Sequence, residues 1–139
     1  MEINKQVQAV IWDESSGWLK VLLVKKLDAK SFIPRWRLLK GSVENAENDE
    51  TALAREINEE VGLRNIEIGK KIYEYSFSFG NIINQVKTFS VRGDSSKNLK
   101  IQTTEIADAK WVSLEEAKKL IYWPHEKKAL EAFESYYRR

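Results

Sequence analysis

The sequence contains no cysteine and a single histidine, His125. The first absence excludes disulfides, thiolate metal sites and a cysteine nucleophile. The second argues against a histidine-rich zinc site and a Ser-His-Asp triad, and His125 itself reads as a helix-start or surface residue. No apolar run approaches the length of a membrane span, and the opening MEINKQ holds no apolar signal-peptide core. A cytoplasmic protein with no membrane partner is expected. An excess of one charge is lacking too: 23 Lys and Arg face 21 Asp and Glu, a formal net charge of +2. That balance gives no indication of nucleic-acid or membrane binding. No repeat, low-complexity segment or linker divides the 139 residues, so a single domain over 1–139 is expected.

What is present is a mixture of strand and helix patterns. Residues 7–12 and 18–24 are apolar runs separated by Asp13-Glu14-Ser15-Ser16-Gly17, which predicts two strands joined by a hairpin-like loop. Residues 25–35 are polar and irregular, and 36–39 predict a third short strand running into Lys40-Gly41. From 50 to 61 the period becomes helical, with Leu53, Ile57 and Val61 on one stripe. Asn48 or Asp49 can cap its start, and Gly62 stands where a glycine ends a helix. Residues 66–79 alternate, with Tyr73, Tyr75, Phe77 and Phe79 pointing one way. Gly80-Asn81 marks a turn to a partner strand at 82–91, and 93–104 reads as a surface loop. A short strand at 109–112 leads to a helix starting at Ser113 and reaching about 121; Pro124 interrupts, and a last helix runs to about 137. The class is α/β.

The carboxylates concentrate between Glu44 and Glu60. Within 41–63 the spacing is Gly41, five residues, Glu47, seven residues, Arg55-Glu56-Ile57, then Glu59-Glu60 and Gly62-Leu63. Glu56, Glu59 and Glu60 fall at i, i+3 and i+4, so their carboxylates share a helix face turned away from the Leu53–Ile57–Val61 stripe. Like charges at that spacing cost a helix about 0.2–0.5 kcal/mol per pair, and no Lys or Arg lies three or four residues from Glu56. A hard divalent cation relieves the repulsion, because Mg²⁺ takes carboxylate oxygens, water and phosphates. Without such an ion the cluster is a solvated acidic face. Gly41 allows a sharp turn that brings its carbonyl to the ion. Arg55 can pair with Glu59 at i+4, and Glu47 acts through other residues or favours the helix N-terminus.

The 41–63 pattern fits every position of the signature of the Nudix hydrolases, G-x5-E-x7-R-E-U-x-E-E-x-G-U with U aliphatic, and the whole chain resembles that family. At about 7% per fixed position, a chance match at a given start falls below roughly 10⁻⁸. The resemblance implies a mixed β-sheet sandwiched between α-helices and hydrolysis of a nucleoside diphosphate linked to another group. It implies metal ligation by Glu56, Glu59, Glu60 and the Gly41 carbonyl, with Glu56 or Glu59 helping to deprotonate the attacking water. The implied cofactor is Mg²⁺, with Mn²⁺ as a substitute, lowering the pKa of that water and neutralising phosphate charge.

Within the family the chain is most similar to the diadenosine tetraphosphate hydrolases. Trp36-Arg37-Leu38-Leu39-Lys40-Gly41 resembles their W-x-x-P-K-G lead-in, and the tail from Trp111 to Ala117 resembles theirs. Those enzymes carry a further metal- or base-type Glu six residues before this Trp, where Glu105 stands. They stack adenine between two aromatic rings, and Phe77 and Trp123 look like the matching positions, although alternating aromatics also serve as core. Two departures stand out: Leu39 replaces the usual Pro, and Asn84 replaces a frequent phosphate-binding Lys, with Lys87 close by and Lys40 retained. The expected reaction is asymmetric cleavage of diadenosine tetraphosphate to ATP and AMP. The alternatives are pyrophosphate removal from nucleoside triphosphates or RNA 5′ ends, the one nucleic-acid substrate considered, and a non-catalytic nucleotide-binding module. The sequence is silent on oligomeric state.

Overall fold

Residues 9–11 and 21–24 are apolar without a break, which a strand tolerates only when both of its faces are covered. The structure, a computed structural model describing residues 2–27 and 32–138, covers both. Its elements are β1 (Glu2–Asp13), β2 (Lys20–Leu27), β3 (Pro34–Arg37), β4 (Leu39–Ser42) and α1 (Asp49–Val61). They continue with β5 (Glu67–Phe79), β6 (Ile82–Arg92), β7 (Ile106–Ser113), α2 (Leu114–Leu120) and α3 (Pro124–Tyr137). Strand β1 runs parallel to β6 from Glu2↔Ile82 to Trp12↔Arg92, and the other pairings are antiparallel, so the sheet is mixed. Alternate residues then separate into two cores. Val7, Ala9, Ile11, Leu22 and Val24 meet Leu53, Ile57 and Val61 of α1. Val10, Val21 and Leu23 meet Ala117 of α2 and Ala129, Leu130 and Phe133 of α3. The expected sheet between helices is present. No helix among the described residues is long and apolar enough to cross a membrane.

The start of α1 matches its sequence: Asn48 Oδ1 accepts from the Thr51 N–H at 2.8 Å. At the other end Gly62 adopts φ 74° and its N–H donates to the Asn58 carbonyl at 3.0 Å, a left-handed conformation that glycine reaches without steric cost.

Two strand readings need correction. The hairpin-like pairing of β1 and β2 is confined to Trp12↔Val21 and Asp13↔Lys20, after which the strands diverge. Strand β2 pairs with β3 and β7, while residues 6–9 of β1 pair with β4. The single strand expected at 36–39 cannot serve both diverging partners, so it breaks at Leu38 into β3 and β4. Leu38 packs on the α3 side and Leu39 on the α1 side, so the alternation of faces survives the break. The Leu38 N–H, released from the sheet, donates to the Glu126 carboxylate of α3 at 2.8 Å. The irregular stretch read at 25–35 likewise yields strand residues at both ends; its part at 28–31 lies outside the described residues.

Asp13 closes the paired end, where β1 runs into the loop to β2. Its buried carboxylate accepts from Ser15 N–H at 3.0 Å, Ser15 Oγ at 2.8 Å, Ser95 N–H at 2.8 Å and Ser95 Oγ at 2.7 Å. Burial alone raises its pKa, but the bonds from Ser95 and Ser15 outweigh burial and hold the carboxyl well below its usual value. Asp13→Ala is expected to cost about 1–3 kcal/mol in urea unfolding at pH 7 by orphaning these donors. Because the folded pKa is depressed, the wild-type advantage is full above the ordinary Asp value and shrinks as pH falls through the acid range. An advantage that stays constant down to pH 2 contradicts this.

Candidate functional site

Helix α1 carries its charges unevenly. At 100° per residue Glu60, seven residues beyond Leu53, projects within about 20° of it. Glu60 therefore lies at the margin of the apolar stripe and is 1% exposed, which corrects the expectation that all three carboxylates face outward. Glu59 is exposed, and Glu56 is intermediate. Glu56 lies over Gly41 of β4 so closely that a Cβ built on Gly41 would overlap its carboxylate. No sharp turn occurs at Gly41, which pairs with Val7 inside β4; a side chain there would instead displace the Glu56 carboxylate.

Arg55 organises the outer part of the cluster. Its Nε and Nη2 donate to the two oxygens of Glu47 at 2.7 and 2.9 Å, a bidentate fork. Nη2 also reaches the Ser42 carbonyl at 2.9 Å, next to Gly41. Nη1 donates to Glu56 at 2.9 Å and to Glu59 at 3.2 Å, the latter being the expected i,i+4 pair. The bond to Glu56 was not expected from helix spacing; the residue adjacent in sequence relieves that carboxylate by folding back over β4. Glu47 is thereby a partner of Arg55, and its pKa is lowered by that hydrogen bond.

The inner carboxylate is treated differently. Neither Glu60 oxygen has a hydrogen-bond partner; Lys26 Nζ of β2 stands 4.0 Å away. Burial first, opposed by Lys26 and reinforced by Glu56 and Glu105, pushes the Glu60 carboxyl up to about 8. Glu105 is brought near by the loop that follows β6. Lys100 N–H donates to the Val61 carbonyl and Gln102 N–H to the Glu60 carbonyl, at 2.9 and 3.0 Å, and Glu105 N–H then donates to Gln102. The same loop thus satisfies the end of α1 and sets an exposed Glu105 beside it.

Among the described residues no three acidic side chains already stand as a coordinating group; Arg55 draws Glu56 and Glu59 toward itself instead. The donor set nevertheless fits a hard divalent cation. It is all oxygen, and its innermost carboxylate is buried with both oxygens unpartnered. In EDTA, Glu60→Gln is expected to melt above the wild type by about 1–3 kcal/mol of stability, because a desolvated carboxylate is removed. Adding MgCl₂ is expected to raise the wild-type melting temperature and leave the Gln variant nearly unmoved. An equal rise in both proteins excludes Glu60 from the ion site.

On the opposite face of β4, toward α3, lies a cavity of about 340 Å³. Neighbouring residues of a strand point to opposite faces, so Lys40 reaches this cavity while Gly41 meets Glu56. Lys40, Phe77 and Trp123 line it together, with Lys40 Nζ 4.7 Å from the Phe77 ring centroid. Lys87 does not line it; its Nζ lies 3.4 Å from Asp49 Oδ2 at the start of α1.

Sequence reasoning missed Arg37, His125 and Glu126 and met Asn84 only as a replacement for a phosphate-binding Lys; all four also line the cavity. The His125 ring stacks on Tyr75 at 4.5 Å and 11°, with Nδ1 3.0 Å from the Tyr73 hydroxyl. Its position two residues after Trp123 was the available signal. The buried Glu126 carboxylate accepts from Arg37 Nε and Nη2 at 3.2 and 3.0 Å and from Leu38 N–H. No local pattern could pair residues 89 apart.

The family model described as NUDIX domain matches residues 3–133, and no curated relative matches. The solution structure of the E. coli ORF135 protein is similar at 25% identity, covering 97% of this chain and 91% of that one, with TM-score 0.77. A C. elegans Ap4A hydrolase, crystallised as a binary complex, is similar in fold at 20% identity, 97% and 98% coverage and TM-score 0.83. The NUDIX domain of Shewanella oneidensis NrtR complexed with ADP ribose is similar in fold at 19% identity, 99% and 89% coverage and TM-score 0.78. With a domain match spanning nearly its whole length, the chain belongs to the Nudix hydrolase family, whose members act on nucleoside diphosphate-linked substrates and generally use divalent metals.

Proposed function

We propose that this protein hydrolyses a phosphoanhydride bond in a dinucleoside polyphosphate, cleaving diadenosine tetraphosphate asymmetrically to ATP and AMP with Mg²⁺, or Mn²⁺ in its place. The observation that carries the reading is the junction at β4: Lys40 opens onto an aromatic cavity while the adjacent Gly41 abuts the Glu56 carboxylate. A nucleotide seated in the cavity would carry its phosphates from Lys40 around the edge of β4 away from β1 to reach the carboxylates on the other face.

In this reading Glu56, Glu59, Glu60 and the Gly41 carbonyl hold the cation, and Glu105 adds a carboxylate from its loop. The cation, when bound, supplies neutralisation of phosphate charge and a lowered pKa for the attacking water. Glu56 or Glu59 accepts the proton of that water, and Arg55 keeps both carboxylates in place through Glu47 and Ser42. Lys40 meets phosphate charge, and Phe77 and Trp123 offer faces for a base, worth about 1–3 kcal/mol per stacked base. Lys87 is left to the far phosphates, since it stands by Asp49 outside the cavity.

The test is incubation with diadenosine tetraphosphate and Mg²⁺, with an EDTA control and separation of products by anion exchange. Equal AMP and ATP, abolished by EDTA, are expected; two ADP would mean symmetric cleavage. No cleavage overturns this substrate and moves the search to nucleoside triphosphates, nucleotide sugars and triphosphorylated RNA. Glu56→Gln is expected to lower turnover by about 10²–10⁴-fold while nucleotide binding persists; unchanged turnover sinks the metal-site assignment.

A further inference from the structure

His125, the only histidine of the chain, sits in the first turn of α3 and lines the aromatic cavity. Its ring lies flat on Tyr75, with centroids 4.5 Å apart and planes 11° apart, as a base lies on an aromatic platform. One ring nitrogen is accounted for: Nδ1 stands 3.0 Å from the Tyr73 hydroxyl. Nε2 has no hydrogen-bond partner among the described residues. In either tautomer that nitrogen is able to donate or to accept.

The strand sets the direction of that free nitrogen. Tyr73, Tyr75 and Phe77 share one face of β5, so Tyr73 and Phe77 flank Tyr75 on opposite sides. The two nitrogens of an imidazole point nearly opposite ways across the ring. With Nδ1 held toward Tyr73, Nε2 is turned toward the Phe77 side, where the cavity continues. The Phe77 ring lies 6.2 Å from Tyr75 with planes 25° apart. A planar ligand resting on Phe77 therefore lies in almost the same layer as the imidazole and meets it edge to edge.

We propose that His125 is a ligand-binding residue whose Nε2 hydrogen-bonds the edge of a nucleobase seated over Phe77. The base takes the place held by the Lys40 ammonium, 4.7 Å from the Phe77 centroid, and the ammonium moves to the phosphates. The stack on Tyr75 and the hydrogen bond with Tyr73 already fix the imidazole, so the contact orders no loose side chain. The proposal rests on the nucleotide-hydrolase reading above for the kind of ligand, and its test separates the two.

Because the histidine is single, its two imidazole nitrogens are the only ring signals in the NMR spectrum of protein labelled with nitrogen-15 histidine. With EDTA present to prevent turnover, ADP is added to one sample and inorganic tripolyphosphate to another. ADP is expected to shift the Nε2 resonance, and tripolyphosphate, which has no base, to leave it in place. His125→Phe keeps a ring on Tyr75 without the nitrogens, and its calorimetric Kd for ADP is expected to rise about three- to tenfold, the loss of one hydrogen bond. The proposal is overturned by an unmoved Nε2 at high ADP, by an equal shift with tripolyphosphate, or by unchanged ADP affinity in a folded His125→Phe variant. Diadenosine tetraphosphate cleavage is measured on the same wild-type preparation. Cleavage with an unmoved Nε2 leaves the hydrolase reading standing, whereas a shifted Nε2 without cleavage leaves the base contact standing and removes the dinucleotide substrate.

Discussion

A single guanidinium holds together three pieces of chain that share no secondary structure. Arg55 sits on α1, yet its nitrogens reach Glu47 in the loop before the helix and the Ser42 carbonyl at the end of β4, as well as Glu56 and Glu59 on its own helix. A planar fork of five donors suits this work; a lysine ammonium has neither the reach nor the fixed angles. The bonds fix how far α1 stands from β4, and the bare Cα of Gly41 makes that distance tolerable. Glu47, Glu56 and Glu59 are positioned by this contact.

Charge is distributed across the cluster in layers. The outer carboxylates of Glu47, Glu56 and Glu59 are compensated by Arg55, whereas Glu60 is buried beneath them with Lys26 at the edge of contact. A buried carboxylate is costly unless something arrives to satisfy it. The protein retains that cost at one position, supported by an apolar core beneath α1 that is complete without it.

The sequence made the carboxylate helix legible because its information is local. Asn48, the Leu53–Ile57–Val61 stripe, Gly62 and the signature spacing all act within a few turns, and the structure carries each of them. The partner change at Leu38 was not legible, because it follows from the divergence of β1 and β2, a property of the whole sheet. The burial of Glu60 was readable in principle, since its angle to Leu53 is fixed by helix geometry, but treating three glutamates as one face concealed it. Phe77 and Trp123 were found as aromatics and do line one cavity. Arg37 and Glu126, joined across 89 residues, carry no mark that distinguishes them from surface charges.

The alternation at Lys40 and Gly41 has a consequence for how this molecule can change over time. The two faces of β4 belong to different neighbours, α3 with β5 on one side and α1 on the other. Mutations that reshape the aromatic chamber accumulate on one face without displacing the acidic helix on the other. On the proposed reading, ligand choice and bond breaking would be inherited as nearly separate traits, divided by the thickness of one strand.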